Sequence, residues 1–130
     1  MIEDEPPTAV LLIAHGSRNE SANRELHDLA ERMAAEGPQS TVVPCFLELA
    51  EPDIPAGGDR CVVLGARRVL MIPYFLSTGV HVGRDLVEGR EALAERHPGV
   101  EFRLGAALGP DMLLDELVRR RVDELARDSR

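Results

Sequence analysis

Two short apolar runs constrain this chain more than anything else in it. Residues 9–14 (Ala-Val-Leu-Leu-Ile-Ala) and 69–72 (Val-Leu-Met-Ile) are continuously hydrophobic, and each leads into a glycine-punctuated segment that carries a histidine. A run of this length with no polar alternation is what a strand covered on both faces requires, and such strands belong to parallel sheets. The first passes directly to His15, Gly16, Ser17 and Arg18. The second passes through Pro73 into a loop holding Gly79 and Gly83, which presents His81.

The segments between these runs read as further strands and helices. Ser17 and Glu20 have capping-box spacing ahead of Ala22, Leu26, Leu29, Ala30 and Met33, a single apolar helical stripe that ends at Gly37-Pro38. A second strand over residues 40–47 leads to a helix over 52–64, weakened by Gly57-Gly58 and stopped at Gly65. A third helix over 85–97, a fourth strand over 101–106 and a last helix over 110–126 complete the pattern. Leu114, Leu117, Val118, Val122 and Leu125 are expected to hold that last helix on the sheet.

Four strand-then-helix units in succession predict one α/β domain over residues 9–128, a four-stranded parallel sheet with helices on both faces, after a loose tail over residues 1–8. The expected strand order is 2-1-3-4. The helices after the first and third strands then leave toward opposite faces, which opens a crevice between two carboxyl ends. His15 and His81 stand on its two lips, and Glu48 lies just past the second strand on the same edge.

Composition removes whole classes of function. The net charge is −8, which argues against nucleic acid or an anionic membrane as partner. All 15 basic residues are arginine, and without a lysine neither a P-loop nor Schiff-base chemistry is available. Cys45 and Cys61 show no CxxC spacing, and the first residues are acidic, not basic and apolar; both predict a cytoplasmic protein with reduced thiols. No apolar run approaches the roughly 20 residues that cross a bilayer.

Two imidazoles and a carboxylate converging on one crevice suit either metal handling or proton transfer. The plain alternative is a pair of loop histidines bonded to backbone. His27, on a helix, and His97, beside Pro98, take that plain reading. Glu48 follows the apolar run 42–47 and is expected to be partly desolvated, which raises proton affinity. Glu51 is assigned to the turn before Pro52, and Asp53 to the start of the next helix. Arg18 and Arg84 lie near helix starts and either grip ligand carboxylates or pair with Glu20 and Asp85. Phe46, Tyr74 and Phe75 fall at strand ends, either as walls for a flat macrocycle or as core and subunit contacts.

At Ala14-His15-Gly16-Ser17-Arg18, at Phe46-Leu47-Glu48-Leu49-Ala50-Glu51-Pro52, and from Pro73 through His81 to Asp85, the sequence resembles the class II tetrapyrrole chelatases, in particular the short CbiX-type sirohydrochlorin chelatases. The match extends through Leu108-Gly109-Pro110. The resemblance implies a flavodoxin-like fold and ATP-independent insertion of cobalt or iron into sirohydrochlorin, toward cobalamin or sirohaem. It places His15 and His81 as catalytic, metal-binding residues and Glu48 as the catalytic acid and third metal ligand. Ser17, Arg18, Arg84, Tyr74 and Phe75 become substrate contacts. The metal is a substrate, nickel being as acceptable to these ligands as cobalt or iron, and no nucleotide is involved. A single half-sized unit resembles the homodimeric short form. Two rivals stand beside this reading. A hydrolase or phosphatase built on His15-Gly16-Ser17 lacks the GxSxG elbow. A metal carrier or sensor on the same fold would bind metal without turnover.

Overall fold

A computed structural model describes residues 5–128. The elements alternate as β1 (Thr8–Ala14), α1 (Glu20–Glu36), β2 (Val42–Phe46), α2 (Ile54–Val63), β3 (Arg68–Pro73), α3 (Val80–Arg96), β4 (Glu101–Leu104) and α4 (Met112–Ala126). The strands form one parallel sheet in the order β2-β1-β3-β4, as the sequence predicts. Ile13 pairs with both Cys45 and Pro73, so β2, β1 and β3 end nearly level.

The sheet's two faces are covered unequally. Leu11, Ile13, Cys45, Val69 and Met71 face α2 and α3 and join Cys61, Leu86 and Leu93 in the larger core. On the other face Val10, Leu12 and Phe46 pack against Leu26 and Ala30 of α1. Gly57 allows α2 to lie close to the sheet: a Cβ there would stand 2.8 Å from Cys45 Cβ and 2.9 Å from Leu11 Cδ1. The glycine pair read as a weakness in this helix is therefore what lets it pack.

Four expectations need correction. Of the tail 1–8, residues 1–4 lie outside the described residues, but Thr8 opens β1 and the Pro7 carbonyl accepts from the N–H groups of Arg67 and Arg68. The cap of α1 is Asn19, whose side chain accepts from Ser21 N–H, not the Ser17–Glu20 box; Ser17 lies two residues before the cap, too early for its hydroxyl to reach the helix. Helix α3 begins at Val80, five residues earlier than expected, because Gly79 serves as its cap and Gly83 closes the first turn onto the Gly79 carbonyl. His81 thus rides on a helix, not in a loop. Finally, α4 does not lie on the sheet: it contributes no buried residue, and Leu117, Val118, Val122 and Leu125 are exposed. Periodicity identifies an apolar stripe but not what covers it.

Candidate functional site

The carboxyl ends of β1 and β2 are interlocked by the backbone. Past the paired residues Ala14 and Phe46 the ladder continues, with Leu47 N–H donating to the Ala14 carbonyl at 2.9 Å and Glu48 N–H to the His15 carbonyl at 3.0 Å. This sets His15 and Glu48 side by side. Gly16 then turns with φ +93°, and a Cβ on it would stand 1.8 Å from the Glu48 carbonyl oxygen, so only glycine fits both the conformation and the space. Leu49 also has a left-handed backbone, φ 67°, a conformation costing a non-glycine residue about 1 kcal/mol. Strain of this kind is held only where the surroundings over-determine it.

The segment after Gly16 is clasped from both directions. Ser17 N–H donates to Asn23 Oδ1 at 2.9 Å, and Asn23 Nδ2 donates back to the Ser17 carbonyl at 2.7 Å. The Ser17 hydroxyl accepts from Asn19 N–H at 3.0 Å, which makes it part of the helix entry and leaves no nucleophile arrangement around it. The His15 ring meets Phe75 edge to face, with centroids 4.7 Å apart. Phe75 is buried, so it supports His15 from below and cannot offer a face to a ligand, contrary to its expected role as a wall. Phe46 is buried likewise, 5.8 Å from the His27 ring. Tyr74 is the exposed aromatic of the three.

Two clefts flank the Gly16 turn. One, of about 480 Å³, lies on the α2/α3 side and is lined by His15, Glu48, Asp53, Val82, Asp85 and Glu88 among others. The other, of about 710 Å³, lies on the α1 side between Ser17, Arg18, Arg24, Leu49 and Glu51. Glu48 is exposed, not desolvated as expected, because the chain leaves the sheet at Leu49 before anything covers it. Arg18 and Arg84 make no ion pair among the described residues, which removes the expected alternative partners Glu20 and Asp85. His81, the second residue of α3, is exposed and does not line the cleft that holds His15 and Glu48. Among the described residues no three His, Cys, Asp or Glu side chains already form a metal-binding group.

Asp53 stands at the start of α2 as expected, whereas the His97 ring is bonded to a side chain and not to the backbone. Asp53 caps α2 by accepting from Ala56 N–H at 2.9 Å, and His97 caps the end of α3 with its ring 2.8 Å from Asp59. Burial pushes the Cys61 thiol up to about 12, and burial with the neighbouring Cys61 and Asp53 pushes Cys45 further still. Both thiols are buried, and among the described residues the donors lining the two clefts are nitrogen and oxygen. The residues given no role in the sequence analysis are Asn23, Leu49 and Glu88; Leu49 sits within the 46–52 stretch and the other two carry no motif, and the chain's return brings Asn23 and Leu49 to the turn and Glu88 to the cleft with His15.

The parallel sheet thus offers an imidazole and a carboxylate from adjacent strand ends, with a second imidazole at the head of the helix after the next strand. The chain belongs to the CbiX family, whose model matches residues 9–125. It is 33% identical to the sirohydrochlorin ferrochelatase of Priestia megaterium over 89% of this chain and 44% of that one. Among solved structures it is similar to the sirohydrochlorin chelatase SirB from Bacillus subtilis subspecies spizizenii in complex with cobalt, with 31% identity and a TM-score of 0.83 over 92% of this chain and 51% of that one. A cobalamin-biosynthesis CbiX protein from Marinobacter aquaeolei VT8 is covered along its whole length, at 29% identity and a TM-score of 0.79 over 94% of this chain. The chain spans about half the length or less of the curated relatives it matches first. No helix among the described residues is long and apolar enough to cross a membrane.

Proposed function

We propose that this chain, as a single domain over residues 9–128 and paired with a second copy, inserts a divalent metal into sirohydrochlorin without a nucleotide, cobalt toward cobalamin or iron toward sirohaem. The observation that carries the reading is the backbone-locked juxtaposition of His15 and Glu48 at one cleft, in a chain matched by the CbiX model over nearly its whole length. Metallation removes two pyrrolic protons while a partly dehydrated ion passes to the ring nitrogens. The site therefore needs ligands that hold the metal without trapping it, and bases that are neutral when they act. Two imidazoles and a carboxylate with open coordination positions meet that need, whereas a closed thiolate site would retain the ion.

In this reading His15 and His81 bind the metal and receive protons, with Glu48 as third ligand and proton acceptor. Arg18 and Arg84, unpaired and exposed, meet the carboxylates of the macrocycle, with Ser17 positioning Arg18 and Tyr74 lying against the ring. Nickel suits the same ligands, so metal supply as well as geometry selects the product. The acidic chain acts away from nucleic acid and membrane, in a cytoplasm that keeps Cys45 and Cys61 reduced.

The test is anaerobic incubation of the purified chain with sirohydrochlorin and Co²⁺, Fe²⁺ or Ni²⁺ in turn, following the visible spectrum of the macrocycle against a control without protein. Faster metallation than the control is expected. Metal binding with no acceleration for any of the three ions would replace the reading with that of a carrier.

A further inference from the structure

Leu49 is unfavourable where it stands on two counts. Its backbone is left-handed at φ 67°, a region that glycine and asparagine enter readily and leucine does not. Its side chain is also 54% exposed, so apolar surface is left in water. The reversal itself has a structural purpose. The ladder between β1 and β2 ends at Glu48 N–H, and Ala50 beyond it packs against the α1-side core of Val10, Leu12 and Phe46. A left-handed residue between the two carries the chain from one to the other. Asparagine or glycine would make that reversal with less strain and without exposing apolar surface. Folding therefore accounts for the backbone of residue 49 but not for its side chain, and strain held at the rim of a site points to a use there.

The surroundings of the side chain indicate what covers it. Leu49 lines the cleft of about 710 Å³ on the α1 side, where Arg18 and Arg24 stand opposite Glu20 and Glu51 in charge. Arg18 makes no ion pair among the described residues, and Arg24 reaches only Asp28, at 4.0 Å with both side chains largely exposed. The cleft on the other side of the Gly16 turn differs: Glu48, Asp53, Asp85 and Glu88 line it, with no arginine. Carboxylates gathered around one cleft repel an anionic ligand, whereas guanidinium groups beside an exposed leucine suit a ligand with charged edges and an apolar face.

We infer that Leu49 is a contact for the tetrapyrrole: the apolar face of the macrocycle packs on its side chain, while Arg18 in the same cleft meets a carboxylate at the rim. The inference rests on the chelatase reading above and adds a binding residue to it. Glu48 and Leu49 are consecutive but line different clefts, so a single peptide bond puts the proposed metal ligand on the side of the acids and the ring contact on the side of the arginines. Apolar surface covered on binding offsets what the exposed leucine costs the free chain.

The test is titration of the intact, metal-free chain with sirohydrochlorin, followed by the absorbance of the macrocycle, with melting temperature and light scattering measured on the same samples. Leu49→Asn tolerates the left-handed backbone and removes the apolar contact. It should melt about 2–5 °C higher than wild type while binding sirohydrochlorin about tenfold more weakly. Leu49→Met keeps both the strain and the apolar surface, so its dissociation constant should stay within about threefold of wild type. Stability and affinity moving in opposite directions is a result that a leucine serving only the fold would not give. Equal affinity of Leu49→Asn and wild type overturns the inference, and so does a lower melting temperature for Leu49→Asn. Equal losses of affinity in Leu49→Asn and Leu49→Met also overturn it, since apolar surface would then not be what the ring meets. Unchanged affinity with lost self-association in Leu49→Asn would assign the leucine to a contact with a second copy instead. A wild type that does not bind sirohydrochlorin would remove the chelatase reading and this contact together, whereas a failure confined to the Leu49 variants leaves that reading standing.

Discussion

His15 and His81 follow neighbouring strands, yet the molecule holds them in different ways. The β1 end is fixed on every side: Gly16 seats on the Glu48 carbonyl, Asn23 clasps Ser17, and Phe75 lies against the imidazole. The β3 end runs exposed from Leu76 to Gly79, and the cap of α3 has no side-chain hydrogen bond. Nothing stands within 4 Å of where a Cβ on Gly79 would be. One half of the candidate site is thus positioned by packing and the other only by the helix that carries it. Preorganised groups hold a reacting ion in place, whereas a ligand delivered on a helix end meets it from the open side.

The largest effect should come from treating the two ends as chemically equal. His15→Ala and His81→Ala should each lower the metallation rate by at least about 100-fold, near 2.7 kcal/mol of barrier, and the double variant should cost far less than the product of the two. Near-wild-type rates in both single variants, after subtraction of the spontaneous reaction, would remove them from the site. A large loss for His15→Ala alone would turn the mechanical difference into a functional one.

Gly16→Ala tests the mechanical half directly. The clash with the Glu48 carbonyl and the left-handed backbone should together cost about 3 kcal/mol in thermal or denaturant unfolding. Gly83→Ala, on the first turns of α3 with only Thr78 Oγ1 at 4.0 Å, should instead gain about 0.5 kcal/mol from helix propensity. Equal losses at the two positions would end the distinction between a packed and an open strand end.

A smaller effect is expected at Arg84, on the open side. Exposed and unpaired, it should contribute to substrate capture equally in ground and transition states, so Arg84→Ala should raise KM by about five-fold with kcat and melting temperature unchanged. A collapse of kcat at constant KM would place it in the chemistry.

The smallest concerns the thiols beneath the packed end. Both are raised above the value of an unfolded cysteine, so the folded chain binds more protons than the unfolded one between about 9 and 12, and stability should be full below pH 9 and decline as pH rises through that window. Cys61→Ala should flatten the decline in unfolding experiments run across it. A slope unchanged by that substitution would assign the alkaline loss to other groups.

Local rules carried the sequence reading a long way. Continuous apolar runs at 9–14 and 69–72 require strands covered on both faces, and strand–helix alternation leaves few orders for a parallel sheet. From these came the order 2-1-3-4 and the meeting of His15 and Glu48 at one edge, along with the place of Asp53 at the start of α2. Period and composition determine which element forms and which side chains it needs to bury. They do not say what arrives to bury them. The helical start of α3 depended on Gly79 acting as a cap instead of as loop punctuation, and Phe75 became core because the chain bends past Pro73 and brings it against His15. The need for glycine at 16 arose when a carbonyl 32 residues along the chain came to within van der Waals reach. The stripe on α4 was legible, but its docking surface was misassigned, because covering a face is a property of the backbone's path and of a second surface, and neither is written in the period of a single helix.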